Sequence, residues 1–149
     1  MKKENIIRIT KYLLDFMFFA GIGVTATLPF SVKWLGQYLP NVSEHYTEVV
    51  IIYFVLGLLA LAILGELRKI FRTVLADNCF VTENVVSLQR MGTYSFMIAL
   101  VSLVRSILYL TIAMGVVILV FVIAGLFSKV LAFVFERAIN YKEENDLTI

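Results

Sequence analysis

The stretch Val49 to Leu75, VVIIYFVLGLLALAILGELRKIFRTVL, decides the fold. Residues 49–65 carry no charge, and as a helix rising ~1.5 Å per residue they cover about 26 Å, enough to cross a hydrocarbon layer of ~30 Å with modest adjustment. From Glu66 the helical period continues but its character changes. Ile70, Phe71, Val74 and Leu75 fall on one face while Arg68, Lys69 and Arg72 occupy the other, the pattern of an amphipathic helix leaving the bilayer. Asp77 and Asn78 then favour a break.

Three further apolar runs flank this one. The first, residues 12–32, follows Lys2 and Lys3; it exceeds the ~7–15 residue core of a signal peptide, and Val24-Thr25-Ala26 is a poor cleavage site, so it reads as a retained span. Pro29 should kink or end that helix, because it lacks an N–H and crowds the preceding turn. Lys33 and Trp34 mark an interface, and residues 33–48, with Pro40, Asn41, Tyr38 and Tyr46, read as a short polar loop. Asn41-Val42-Ser43 fits the glycosylation pattern, which is common by chance. Thr82 is suited to cap a short helix reaching Met91, with Gly92 softening the junction to the next span. The last two runs, 93–112 and 116–135, are separated by Ala113, Met114 and Gly115 alone, which predicts a tight hairpin.

With 60% hydrophobic and 16% charged residues and a mean hydropathy of +0.90, the chain is too apolar for one soluble core. The expected fold is all-α and polytopic: one domain over residues 1–149, with four transmembrane helices in an antiparallel bundle (12–32, 49–65, 93–112, 116–135). An amphipathic cytoplasmic helical segment covers 66–92 and a cytoplasmic tail 136–149. Basic residues set the orientation. Lys2, Lys3, Arg8 and Lys11 precede the first span, Arg68, Lys69, Arg72 and Arg90 lie between the second and third, and Arg137 and Lys142 follow the fourth. Lys33 stands alone on the other side, so both termini are expected in the cytoplasm. The single cysteine, Cys79, excludes an intrachain disulfide.

Few residues suggest chemistry. Arg105, about twelve residues into the third run, is expected near the bilayer midplane, where a charge costs on the order of 3 kcal/mol and needs a partner. It shares a stripe with Ser95, Ser102, Ser106 and Tyr109, which reads as interhelical packing or as a transport path. Gly125, Ser128, Lys129, Ala132 and Glu136 form a second stripe. Lys129 and Asp15 lie at similar depth, so an Asp15–Lys129 ion pair is the preferred pairing, with Glu136 as the alternative acceptor. Gly21, Gly23, Thr25 and Thr27, and Gly57 with Ala60, suit close helix seams, within one chain or in a homodimer. Glu44, His45 and Glu48 are a weak match to a metal site and read as a solvated loop. Glycine-rich phosphate loops, zinc spacings and nucleophile–histidine pairs are absent, so no enzyme activity, metal or cofactor is expected. The basic residues after Gly65 suit anionic lipid headgroups rather than direct nucleic-acid binding.

Two stretches carry a family resemblance. Asn78-Cys79-Phe80-Val81-Thr82-Glu83-Asn84, followed by Leu88 and Gly92, resembles the N-P-F-x-x-E-N-x-x-x-L segment of domain of unknown function family 2975 (DUF2975). Glu136, Ala138 and the ending Glu143-Glu144-Asn145-Asp146-Leu147-Thr148-Ile149 resemble that family's C-terminus. Cys79 stands where the family usually has proline. The resemblance implies a multi-pass protein of the bacterial plasma membrane, often encoded beside a small helix-turn-helix regulator, and it supplies no catalytic residues. The function expected from it is a non-enzymatic regulatory or interaction protein whose cytoplasmic face binds such a regulator through Phe80, Glu83, Asn84, Glu143, Glu144, Asn145, Asp146 and Leu147. A small transporter, channel or immunity-type membrane protein using the intramembrane polar stripes is the alternative, with Asp15, Arg105 and Lys129 as the intramembrane charged candidates.

Overall fold

The computed structural model describes residues 2–108 and 111–147, without the side chains of Asn41 and Leu108. Tyr109 of the predicted polar stripe, Thr148 and Ile149 of the tail, and the Asn41 side chain lie outside the described residues. Every described element is an α-helix: α1 (Lys3–Ala26), α2 (Leu28–Gly36), α3 (Pro40–Glu44), α4 (Tyr46–Leu75), α5 (Thr82–Leu108) and α6 (Ile112–Leu147).

The element ends follow local chemistry. Pro29 sits in the first turn of α2, and the break falls at Thr27, whose hydroxyl donates back to the Gly23 carbonyl at 2.9 Å. The predicted loop at 33–48 is instead mostly helical, because Pro40 can start a helix at a position where its missing N–H costs nothing. The hairpin turn also differs from expectation. Ala113, Met114 and Gly115 belong to the first turn of α6, where Thr111 acts as the cap: its Oγ1 accepts from the Met114 N–H at 3.3 Å. Nor does Gly92 interrupt α5, which is continuous from Thr82. Beyond residue 135 there is no separate tail, since α6 runs unbroken to Leu147 over roughly 54 Å.

α1, α4, α5 and α6 stand side by side in chain order, each antiparallel to the next, with α2 and α3 folded against the start of α4. The row does not close into a ring. Among the described residues no Cα of α1 lies within 8 Å of α5 or α6, so the antiparallel helices form an open row. The physical reason is that α1 spends its narrow small-residue face on α4: a Cβ added to Gly57 would lie 2.9 Å from Thr25 Oγ1, and one added to Gly21 would lie 2.8 Å from Leu61 Cδ2. Gly23 faces open space and takes no part in that seam.

Burial is inverted relative to a soluble protein. Ser87, Ser95, Ser102, Ser106 and Ser128 are buried between helices, while Phe16, Phe19, Phe30, Phe127 and Phe133 are exposed. Hydrocarbon, not water, is the solvent that makes such a surface stable. Among the described residues three helices, α1, α4 and α6, are long and apolar enough to cross a membrane; α5 carries Arg90, Arg105 and four spaced serines. Apolar side chains do form a cluster at the end of the row that holds Arg68, Lys69, Arg72 and Arg90, here termed the basic end. Ile70, Leu88 and Ala132 are buried there, with Val74, Val85, Met91, Leu131 and Phe135 packed against them.

Candidate functional site

The turn joining α4 to α5 is built by its own sequence. Asp77 adopts a left-handed conformation (φ 55), with its N–H donating to the Val74 carbonyl and that of Asn78 to the Thr73 carbonyl. These two bonds satisfy carbonyls that a helix end would otherwise leave bare. The Asn84 side chain then clamps the turn from inside. It is 1% exposed, and its Nδ2 donates to Thr73 Oγ1 at 2.7 Å and to the Cys79 carbonyl at 2.6 Å. Phe80 lies edge-on to Phe135 of α6, with ring centroids 5.2 Å apart, while Glu83 is exposed in the first turn of α5. Of the three motif residues expected to meet a partner, Phe80 and Glu83 are accessible and Asn84 is internal.

Lys129 is held in the α5–α6 seam. Gly92 leaves room for its stem: a Cβ there would come within 2.9 Å of Lys129 Cγ. Lys129 Nζ donates to the Gln89 carbonyl and to Thr93 Oγ1, both at 3.0 Å, and the neighbouring Ser128 hydroxyl donates to the Leu88 carbonyl at 2.7 Å. Two adjacent donors of α6 therefore meet two adjacent carbonyls of α5, which the bare Gly92 uncovers. Gly125 seats the Phe96 ring, 2.8 Å from where its Cβ would be.

The expected Asp15–Lys129 pair does not form. Asp15 Oδ1 instead accepts from Arg68 Nε at 2.6 Å, and the same guanidinium lies over Phe18, 4.6 Å from the ring centroid. The reason is the order of the row, which sets α1 against α4 and away from α6. Arg105 lies three residues before the last described residue of α5. Its partner is Tyr53 of α4, which receives a hydrogen bond on its hydroxyl and faces the guanidinium with its ring at 4.4 Å.

Glu66 is a buried residue that hydropathy did not single out. It is 6% exposed, and its Oε1 lies 3.6 Å from both Lys69 Nζ and Arg90 Nη1. Among the described residues its Oε2 and the Ser102 hydroxyl are buried without a hydrogen-bond partner. A carboxylate adjoining an uncharged run, with Lys69 three residues further on, is a weak signal; the contact with Arg90 required the fold. On the opposite side of the row, His45 Nδ1 is 3.7 Å from Glu48 Oε2, and no three His, Cys, Asp or Glu residues among those described are placed to hold a metal.

Glu143, Glu144, Asn145, Asp146 and Leu147 are all exposed on the last turns of α6. They lie eight to twelve residues beyond Phe135, roughly 12–18 Å along the helix axis. The turn around Phe80 and the acidic end of α6 are thus two patches on one side of the row rather than one continuous surface.

Over residues 27–149 the chain matches the family described as protein of unknown function (DUF2975). No curated protein and no solved structure matches it.

Proposed function

The chain belongs to the DUF2975 family, and on that premise we propose a four-span, non-enzymatic membrane protein whose basic end faces the cytoplasm and binds a small helix-turn-helix regulator. The observation that carries the reading is the projection of α6. Its last turns are helical, exposed and acidic at Glu143, Glu144 and Asp146, a shape and charge complementary to a basic DNA-binding protein. Phe80 and Glu83 supply a second contact at the α4–α5 turn.

α5 is the fourth span. Its serines face α4 and α6, whereas Met97, Leu100, Leu103, Val104 and Ile107 are exposed, so its polar content is hidden from lipid and depresses only its average hydropathy. Its antiparallel register with α6, from Leu88–Ser128 onward, carries it through whatever layer α6 crosses. The excess of Lys and Arg at the basic end supports a cytoplasmic placement of that end, and the family resemblance supports a bacterial plasma membrane.

Affinity capture from native membranes tests the reading. The neighbouring helix-turn-helix regulator should copurify with the full chain and be lost on deletion of residues 145–149; undiminished recovery from the deletion would reject this contact. A transporter or channel role rests on a different observation, the buried Glu66 Oε2 and Ser102 hydroxyl, which have no hydrogen-bond partner among the described residues. That role predicts loss of a flux or protection phenotype in Arg105→Leu or Lys129→Leu with normal accumulation of the protein. Arg105 and Lys129 engage separate seams, which favours the interaction role.

A further inference from the structure

We propose that the cleft between the end of α4 and the start of α5 binds a phosphate-bearing anion, specifically the headgroup of an anionic lipid. The cleft measures ≈ 510 Å³ and is walled by Lys69 and Arg72 of α4 and by Thr82, Glu83, Ser87 and Arg90 of α5. Three cations converge on it against one rim carboxylate. The first turn of the 27-residue helix α5 adds the positive end of its dipole at the rim.

The cations keep their donors available. Arg72 makes no ion pair among the described residues. Lys69 and Arg90 share the buried Glu66 Oε1, each at 3.6 Å, close enough to be drawn to one side but beyond hydrogen-bonding distance. Glu66 therefore gathers two cations beside the cleft without saturating either.

Depth selects the lipid over a soluble anion. Lys69 and Arg72 lie four and seven residues past Gly65, the end of the uncharged run, or roughly 6–10 Å along the helix. The polar layer beyond the hydrocarbon is on the order of 5–8 Å thick on each side, so the cleft opens at the level of lipid phosphates. Attraction to an anionic surface of roughly fivefold in affinity per cation is expected there.

The test is native mass spectrometry of the full chain released from vesicles of mixed phosphatidylglycerol and phosphatidylcholine. The wild-type protein should retain phosphatidylglycerol preferentially, and Lys69→Gln, Arg72→Gln and Arg90→Gln should each lower retention roughly fivefold. The double change Arg137→Gln/Lys142→Gln, which removes two exposed cations from α6, should leave retention unchanged. Equal retention in the variant combining Lys69→Gln, Arg72→Gln and Arg90→Gln overturns the proposal, and so does an equal loss in the Arg137/Lys142 control, which would indicate unspecific attraction. Displacement of the lipid by inorganic phosphate, with phosphate alone raising the melting temperature of detergent-solubilised protein, overturns the lipid assignment in favour of a soluble ligand. If the triple variant does not fold, Arg72→Gln alone decides, because that cation holds no ion pair among the described residues.

Discussion

Replacing Asn84 by alanine removes the clamp of the α4–α5 turn and separates a structural from a partner-binding role for that residue. Two hydrogen bonds are lost, at 2.7 and 2.6 Å, each contributing about 1 kcal/mol net. Thr73 keeps its own bond to the Ile70 carbonyl, so the Cys79 carbonyl is the group left without a donor, adding part of a ~1–3 kcal/mol desolvation cost. The total is about 2–3 kcal/mol, equivalent to a fall in melting temperature of roughly 4–12 °C at this chain length. Far-UV circular dichroism of the protein in nanodiscs measures it, and limited proteolysis should show faster cleavage within residues 76–81. Asn84→Asp should be as damaging, since it keeps the size but presents carboxylate oxygens to the Cys79 carbonyl. Thr73→Val should cost about half as much and be non-additive with Asn84→Ala, because the two share a bond. An Asn84→Ala protein that melts normally and resists protease, yet no longer captures a partner, would refute the clamp.

Three further outcomes follow from the helix seams. Asp15→Leu or Arg68→Leu alone should destabilise by about 1–3 kcal/mol, between the values for exposed and fully buried pairs, because both side chains are about a quarter exposed; the double leucine variant should recover most of that loss in a denaturant titration. Gly125→Val drives a side chain into Phe96 and should cost about 1–3 kcal/mol, and a second change, Phe96→Ala, should partly restore the melting temperature. Asp77→Gly relieves a left-handed backbone position and should stabilise by roughly 1 kcal/mol, visible as a higher denaturation midpoint with unchanged helical content.

Much of this molecule was legible residue by residue because the deciding forces are local. The uncharged run at 49–65 could only be a buried or membrane-crossing helix, and Asp77 with Asn78 ends it where the chain needs left-handed geometry. Pro29 breaks the first run within two residues of the expected place. Local signals failed where two of them competed. Gly115 looked like the hairpin, but a glycine is tolerated in a first helical turn and Thr111 supplied the cap, so residues 113–115 are helical.

Partner choice was not local at all. Hydropathy and charge position define how deep a residue lies along its helix, and at that level Asp15 matched Lys129 as well as it matched Arg68. Which of the two it meets depends on which helix stands beside α1 and on how that helix is rotated. Close contacts at Gly21 and Gly57 seat α1 on α4, and Gly92 and Gly125 seat α5 on α6. Those contacts deliver Asp15 to Arg68, Lys129 to the Gln89 carbonyl and Glu66 to Arg90. Composition and periodicity therefore specified the long helices and their order along the chain, but not the short helices within residues 33–48. The neighbour and azimuth of each helix, and with them every ion pair between helices, arise from side-chain packing between segments far apart in sequence.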